Sequence, residues 1–243
     1  MTEWPSAGCI EFKSVSAYYK SQPSMPALRD LSVSIKAGEK VCIVGRTGSG
    51  KSTMLGVLLR FVDMNGCVTI DGIDIESVGL RTLRKSMEVI PQDVYLFSKS
   101  IRSTLDASGC FCDDELWAAL DAVGMKPYVS NMSQKLDTLI ENGGSNMSLG
   151  QRQLLFFARI LLSKTKIILM DEATSSVDPE TESCLRRVIQ ETCSKTTLLA
   201  VLHRLQNCKS LSCAHEQELK AVALTSTDFC TGIQTLVPTM DNK

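Results

Sequence analysis

The segment "GRTGSGKS", Gly45 to Ser52, carries the densest chemistry in the chain. It matches G-x-x-x-x-G-K-[ST], the pattern of a glycine-rich loop that holds phosphate. Gly45, Gly48 and Gly50 let the backbone wrap tightly enough for its N–H groups to face phosphate oxygens. The helix that follows adds the positive end of its dipole. Lys51 is placed to neutralise the β- and γ-phosphates of a nucleotide, and the Ser52 hydroxyl to ligate Mg2+. Arg46, Thr47, Ser49 and Thr53 complete the expected binding loop.

A second element is "IILMDE", Ile167 to Glu172. Its four apolar residues read as a buried strand, with Asp171 emerging at the C-terminal end. There the carboxylate holds Mg2+, directly or through water. The adjacent Glu172 is the candidate general base for an attacking water. Gln92 follows the short strand "EVI" at a comparable place, where its amide can touch Mg2+ or that water. His203 ends the run "LLAVL". Strand ends of this kind are where open α/β sheets put their ligands. "NMSLGQRQLLFFARIL" opens a further helix, with Ser148 as its cap and Gly150 leaving the backbone accessible. One nucleotide does not need two anion-binding helix starts, so each site is expected to be shared between two copies of the domain.

The elements that position these residues are legible from periodicity. Ile10 and Phe12, then Leu31, Val33 and Ile35, alternate with polar residues, the mark of half-buried antiparallel strands. The Pro/Ser-rich "YYKSQPSMPA" separates them as a loop. "EKVCIVG" is a strand buried on both faces, and "STMLGVLLRFV" after the loop is a helix apolar nearly all round. "GCVTIDG" is a strand closed by a turn at Asp71-Gly72. Residues from about 100 to 150 read as helical. Within them "DDELWAALDAVG" begins at an Asp N-cap, buries Leu116, Leu120 and Val123, and ends at Gly124. "KIILMD" and "TTLLAVL" are the last strands, and between them lies an amphipathic helix capped by Asp178. Strands alternating with helices imply a parallel sheet.

The order of these motifs (phosphate loop, Gln loop, "MSLGQ", "IILMDE", "SSVD", His) resembles that of an ABC-transporter nucleotide-binding domain. "IPQDVYLFSKSIRSTLD", "DDELWAAL" and "GQRQLLFFARILL" are most similar to the C-terminal ATPase domain of multidrug-resistance-type, subfamily C transporters. The resemblance implies an α/β fold of the P-loop NTPase, ABC-ATPase type. It would have a RecA-like core, an N-terminal antiparallel β-subdomain and an inserted α-helical subdomain at about 100–150. It covers residues 8–205. It implies that Tyr19, with Tyr18 as the alternative, stacks on adenine. It implies that Ser148, Gly150 and Gln151 bind the γ-phosphate of ATP held by the opposite subunit, that Asp178 belongs to the D-loop, and that His203 contacts the γ-phosphate. Met147 and Leu149 depart from the commonest signature residues. ATP and Mg2+ are the implied cofactors. The implied partners are a second nucleotide-binding domain and transmembrane domains at the cytoplasmic face of a membrane. The expected function is ATP binding and hydrolysis that powers export. The competing readings are a nucleotide-binding fragment without turnover and a soluble ABC-type ATPase with no transport role.

Residues 206–243 lack the family's closing strand-turn-strand pattern and are expected to be a divergent tail. "HEQELKAVAL" within it reads as a short helix, and loss of the hairpin would leave a sheet edge exposed.

Composition excludes several classes. With 26 basic and 27 acidic residues, net charge −1, there is no electrostatic reason to expect nucleic acid. "LLFFARILL", broken by Arg159, falls short of the ~18–20 apolar residues that span a bilayer, and "MTEWPSAG" has no signal character. A soluble, intracellular chain is expected. The ten cysteines contain no CxxC pair. "CFC" at Cys110 and Cys112 has no partner pair, and Cys208, Cys213 and His215 lack a spaced fourth ligand. Free thiols are expected, some buried, such as Cys42.

Overall fold

A computed structural model describes residues 4–92, 94–141, 143–171, 181, 183–184, 187–189 and 195–202, and the backbone of 219–224. The chain divides into two compact units. One is Met1–Val89, Thr165–Glu172 and Ser194–Lys243; the other is Ile90–Lys164 and Ala173–Cys193.

The first unit opens with β1 (Ile10–Tyr18) and β2 (Leu28–Ile35). They pair antiparallel, Ile10 opposite Ile35 and Phe12 opposite Val33, and all four side chains are buried. The alternation read from the sequence therefore holds. β3 (Lys40–Gly45) follows, then the phosphate loop and α1 (Lys51–Leu58). β4 (Asp63–Ile70) and β5 (Ile73–Asp74) close the antiparallel sheet in the order β2-β1-β4-β5. The turn between them has positive φ at both Asp71 and Gly72, the geometry of a tight hairpin. α2 (Leu80–Lys85) and β6 (Met87–Ile90) come next.

The helix expected over "STMLGVLLRFV" stops at Leu58. Arg60 sits at φ 52°, and the Phe61 N–H donates back to the Gly56 carbonyl at 2.8 Å. That left-handed residue satisfies the last carbonyls and turns the chain toward β4. Hydrophobicity alone cannot signal it, because Phe61 and Val62 continue the apolar run.

The second sheet takes β7 (Ile167–Asp171), β8 (Thr197–Leu202) and β9 (Leu219–Leu224) in the order β6-β7-β8-β3-β9. β8 lies parallel to both β3 and β7. Its six residues are all buried, as is β3 up to Val44. Such continuous apolar runs fit strands covered on both faces. The register aligns Ile43 with Val201 and Val201 with Asp171, so β3 and β7 deliver their C-terminal ends to the same edge.

The helix expected in "HEQELKAVAL" is overturned for Leu219–Leu224, which is a strand parallel to β3, Lys40 opposite Leu219 and Gly45 opposite Leu224. A β3 edge offers a row of unpaired backbone groups, and a short apolar segment gains more by pairing with it than as an isolated helical turn. β9 therefore covers β3 along Lys40–Gly45 and takes the edge of the sheet itself.

A strap ahead of β1 laces the two sheets together. One Asp71 carboxylate oxygen accepts the N–H of Ser6 at 2.8 Å and of Ala7 at 2.9 Å; the other accepts Gly8 at 2.9 Å and Cys9 at 2.8 Å. Thr197, in β8, donates its hydroxyl to the Gly8 carbonyl at 2.7 Å and accepts the Gly38 N–H at 2.9 Å. The Trp4 indole donates to Ile70 at 3.1 Å.

The second unit is helical: α3 (Ile101–Leu105), α4 (Asp113–Ala122), α5 (Lys126–Ser130) and α6 (Leu149–Ser163). Leu116, Leu120 and Val123 are buried as expected, and Gly124 ends α4 at φ 70°. The N-cap of α4 is Cys112, not an aspartate. Glu115 accepts the Cys112 N–H at 3.0 Å, while Arg102 holds Asp113 and Asp137 in ion pairs. That guanidinium draws Asp113 into the first turn and away from the cap. The helix expected after Asp178 falls mostly outside the described residues. Thr181, Ser183, Cys184 and Arg187 to Ile189 are helical.

Candidate functional site

The phosphate loop leaves β3 at Gly45 and returns as α1. Gly50, at φ 93°, is the residue before the helix, and a Cβ there would stand 2.7 Å from the Ala27 carbonyl. Only glycine fits this turn. No side chain caps α1, so its first N–H groups are left for a ligand. Lys51 is 5% exposed. Its ammonium donates to the Gly45 carbonyl at 3.0 Å and to Arg46 at 3.1 Å. The charge is thus held inside its own loop, with a third donor still free to serve an anion. Ser49 is buried, and its hydroxyl has no partner among the described residues. Arg46, Thr47 and Gly48 are exposed at the rim. A loop with a held ammonium, an orphaned hydroxyl and uncapped helix N–H groups fits a phosphate chain.

Ser52 and Asp171 meet. The Ser52 hydroxyl donates to the Asp171 carboxylate at 3.1 Å, across 119 positions of sequence. The parallel register described above makes this contact possible, since Asp171 at the end of β7 is level with Ile43, two residues before the end of β3. Two hard oxygen donors at the phosphate loop are the donor set that suits Mg2+.

Tyr19 follows the end of β1 and remains 44% exposed. Its hydroxyl and that of Thr53 lie 3.0 Å apart in a hydrogen bond. The ring therefore stands beside the start of α1. Tyr18 is the last residue of β1 and is half-buried. No sequence spacing signals the tie to Thr53.

In the second unit, Gln92 is exposed just after Pro91. Ser148 is the N-cap of α6. Its hydroxyl accepts the Gln151 N–H at 3.1 Å, and the Gln151 side chain accepts the Ser148 N–H at 2.9 Å. This reciprocal pair is a capping box. Gly150, expected to leave the backbone accessible, is instead buried in the first turn. Arg152, unremarked in the motif, donates to the Gly143 carbonyl at 3.2 Å and the Val94 carbonyl at 3.5 Å. Glu172, Asp178 and His203 lie outside the described residues, as do Cys208, Cys213 and His215. Among the described residues no cluster of three metal-ligating side chains occurs, no cysteine forms a disulfide and Cys42 is buried, and no helix is long and apolar enough to cross a membrane.

Comparison with known proteins agrees with the motif order. Residues 28–175 match the family model described as ABC transporter. The chain is 43% identical over 204 residues to ABC transporter C family member 13 of Dictyostelium discoideum, covering 84% of this chain and 15% of that protein. It is 37% identical over 230 residues to human ATP-binding cassette sub-family C member 2, covering 89% of this chain and 15% of that protein. The chain thus spans about one-seventh of the length of these curated relatives. A bacterial Atm1-family ABC exporter solved with ATP bound superposes with a TM-score of 0.79 at 28% identity, over 90% of this chain and 38% of that one. The chain belongs to the ABC transporter family and is a nucleotide-binding domain of its subfamily C type.

Proposed function

We propose that this domain binds MgATP and hydrolyses it to drive export through the transmembrane part of a subfamily C transporter. The observation that carries the reading is the phosphate loop itself, with Lys51 held in its cradle and Ser52 hydrogen-bonded to Asp171. Lys51 and the first N–H groups of α1 bind and orient the phosphate chain. Ser52 and Asp171 hold Mg2+, which supplies positive charge to the transferring phosphoryl group. Tyr19 supports the adenine ring. Glu172 takes the proton of the attacking water, and His203 contacts the γ-phosphate. The roles of Glu172, His203 and Gln92 rest on motif position.

Ser148, Gly150 and Gln151 serve the nucleotide of a second, partner domain. The Ser148 hydroxyl takes the Gln151 N–H, which leaves the Leu149 and Gly150 N–H groups at the start of α6 for an anion. Attachment to membrane helices draws support from the second unit. Tyr95, Phe97 and Leu139 are 67%, 71% and 63% exposed, and the rings of Tyr95 and Phe97 meet edge to face, with centroids 5.9 Å apart. Exposed aromatic surface of this kind marks a docking face, and it fits transmembrane domains at the cytoplasmic face of a membrane.

The test measures MgATP binding and phosphate release by the chain beside Glu172→Gln. The variant is expected to keep binding and to lose turnover by about 10²- to 10⁴-fold. An unaltered rate would remove Glu172 from the base role. Binding without turnover in the unaltered chain would favour the fragment reading.

A further inference from the structure

The second unit contains a contact that the phosphate chemistry does not use. Arg152 leaves the first turns of α6, one residue past the signature Gln151. Its guanidinium bonds the Gly143 carbonyl at 3.2 Å, in the turn ahead of α6, and the Val94 carbonyl at 3.5 Å, two residues past Gln92. Leu96 and Gly143 also form an antiparallel bridge. Gly143 and Gly144 are both at positive φ and closely packed. A Cβ on Gly143 would stand 2.7 Å from the Tyr95 ring, and one on Gly144 2.5 Å from the Arg152 side chain. Val94 and Leu96 are buried. The Met147 N–H donates to the Gly144 carbonyl at 2.9 Å, and Ser148 follows directly. From Val94 to Ser148, every link is a packed or hydrogen-bonded contact.

We infer that Arg152 is a positioning residue that joins the exit of the Gln92 loop to the signature cap, so that the two move as one body. The inference rests on the proposed function only for what Gln92 and Ser148 face. Given that reading, a displacement of the Gln92 loop passes through Val94, Arg152 and Gly143 to Ser148, which serves the neighbour's nucleotide. Coupling between sites needs such a contiguous element. Both bonds come from the one Nη1 nitrogen; the rigid planar guanidinium holds its N–H groups in fixed directions, whereas lysine offers one compact ammonium on a flexible stem.

Hydrogen exchange read by mass spectrometry on the full chain tests this, comparing wild type, Arg152→Ala and Arg152→Lys with and without MgATP. Without nucleotide, Arg152→Ala is expected to speed exchange in both 94–101 and 143–148, by roughly 2- to 30-fold, and Arg152→Lys to restore part of the protection. With MgATP, wild type is expected to gain protection in both segments. Arg152→Ala is expected to keep the response at the phosphate loop, 45–53, and lose it at 143–148. Faster exchange confined to the first turn of α6 would reduce Arg152 to a local helix contact and overturn the inference, as would no change in either segment. If Arg152→Ala does not stay folded, Arg152→Lys against wild type decides by the same comparison. A wild-type phosphate loop that ignores MgATP would sink the nucleotide reading, and the nucleotide-free comparison would still test the strut.

Discussion

At the residue scale, the phosphate loop was readable because its chemistry is local. Eight consecutive positions contain the glycines, the ammonium and the hydroxyl, and the strand and helix around them follow from hydrophobicity. The choice between Tyr18 and Tyr19 was open because both lie at the end of one strand. β1 ends at Tyr18, half-buried, and Tyr19 stands outside it with its hydroxyl on Thr53. A base-stacking ring must be exposed, so Tyr19 is the better placed. Replacing Tyr19 by alanine is expected to weaken ATP binding by roughly 2- to 12-fold, the range of an aromatic stacking contact. Phenylalanine keeps the ring and should cost less than about twofold on the same grounds. Titration with a fluorescent ATP analogue checks both. A loss on Tyr18→Ala that exceeds the loss on Tyr19→Ala would transfer the role to Tyr18.

At the element scale, the turn after β4 was legible as Asp-Gly, but the work of its aspartate was not. Asp71 captures four backbone N–H groups from residues 62 to 65 positions away, and no short-range pattern encodes such a contact. Partial burial alone would raise the pKa of this carboxyl. The donors from Ala7, Cys9, Gly8 and Ser6 outweigh it and hold the pKa below the ordinary value. The linkage sign follows. A carboxylate with a depressed folded pKa stabilises fully above its unfolded pKa of about 3.9, and that contribution is lost as pH falls toward the folded value. Asp71→Ala is expected to cost about 1.5–3 kcal/mol near neutral pH, the value of hydrogen bonds to a charged group. Urea unfolding of wild type and variant from pH 7 to pH 3 checks this. The difference should stay level down to about pH 5 and shrink below about pH 4. A gap that does not narrow in acid would mean that the strap depends on packing, not on the carboxylate charge.

At the scale of the whole molecule, alternation and motif order sufficed for the antiparallel sheet and for β3, β7 and β8, because a buried parallel strand is an unmistakable apolar run. β9 escaped because "LKAVAL" is short and suits either helix or strand, and only the free edge of β3 decides between them. That edge matters beyond stability. β3 feeds Gly45 into the phosphate loop, and β9 pairs along it from Lys40 to Gly45. Proline at both Ala221 and Val222 tests the pairing. Neighbouring residues in a strand aim their N–H groups to opposite sides, so one of the two substitutions must remove a donor to β3 whichever way the strand faces. The double variant is expected to lose about 1–3 kcal/mol, the cost of removing a backbone donor and leaving its partner unsatisfied. In a chain of this length that lowers the melting temperature by roughly 2–12 °C. The bared β3 edge should also drive self-association, visible in sedimentation. Because the strand that carries Gly45 loosens, MgATP affinity should fall alongside stability. A double variant with unchanged melting temperature, sedimentation and MgATP affinity would show that β3 does not need this neighbour.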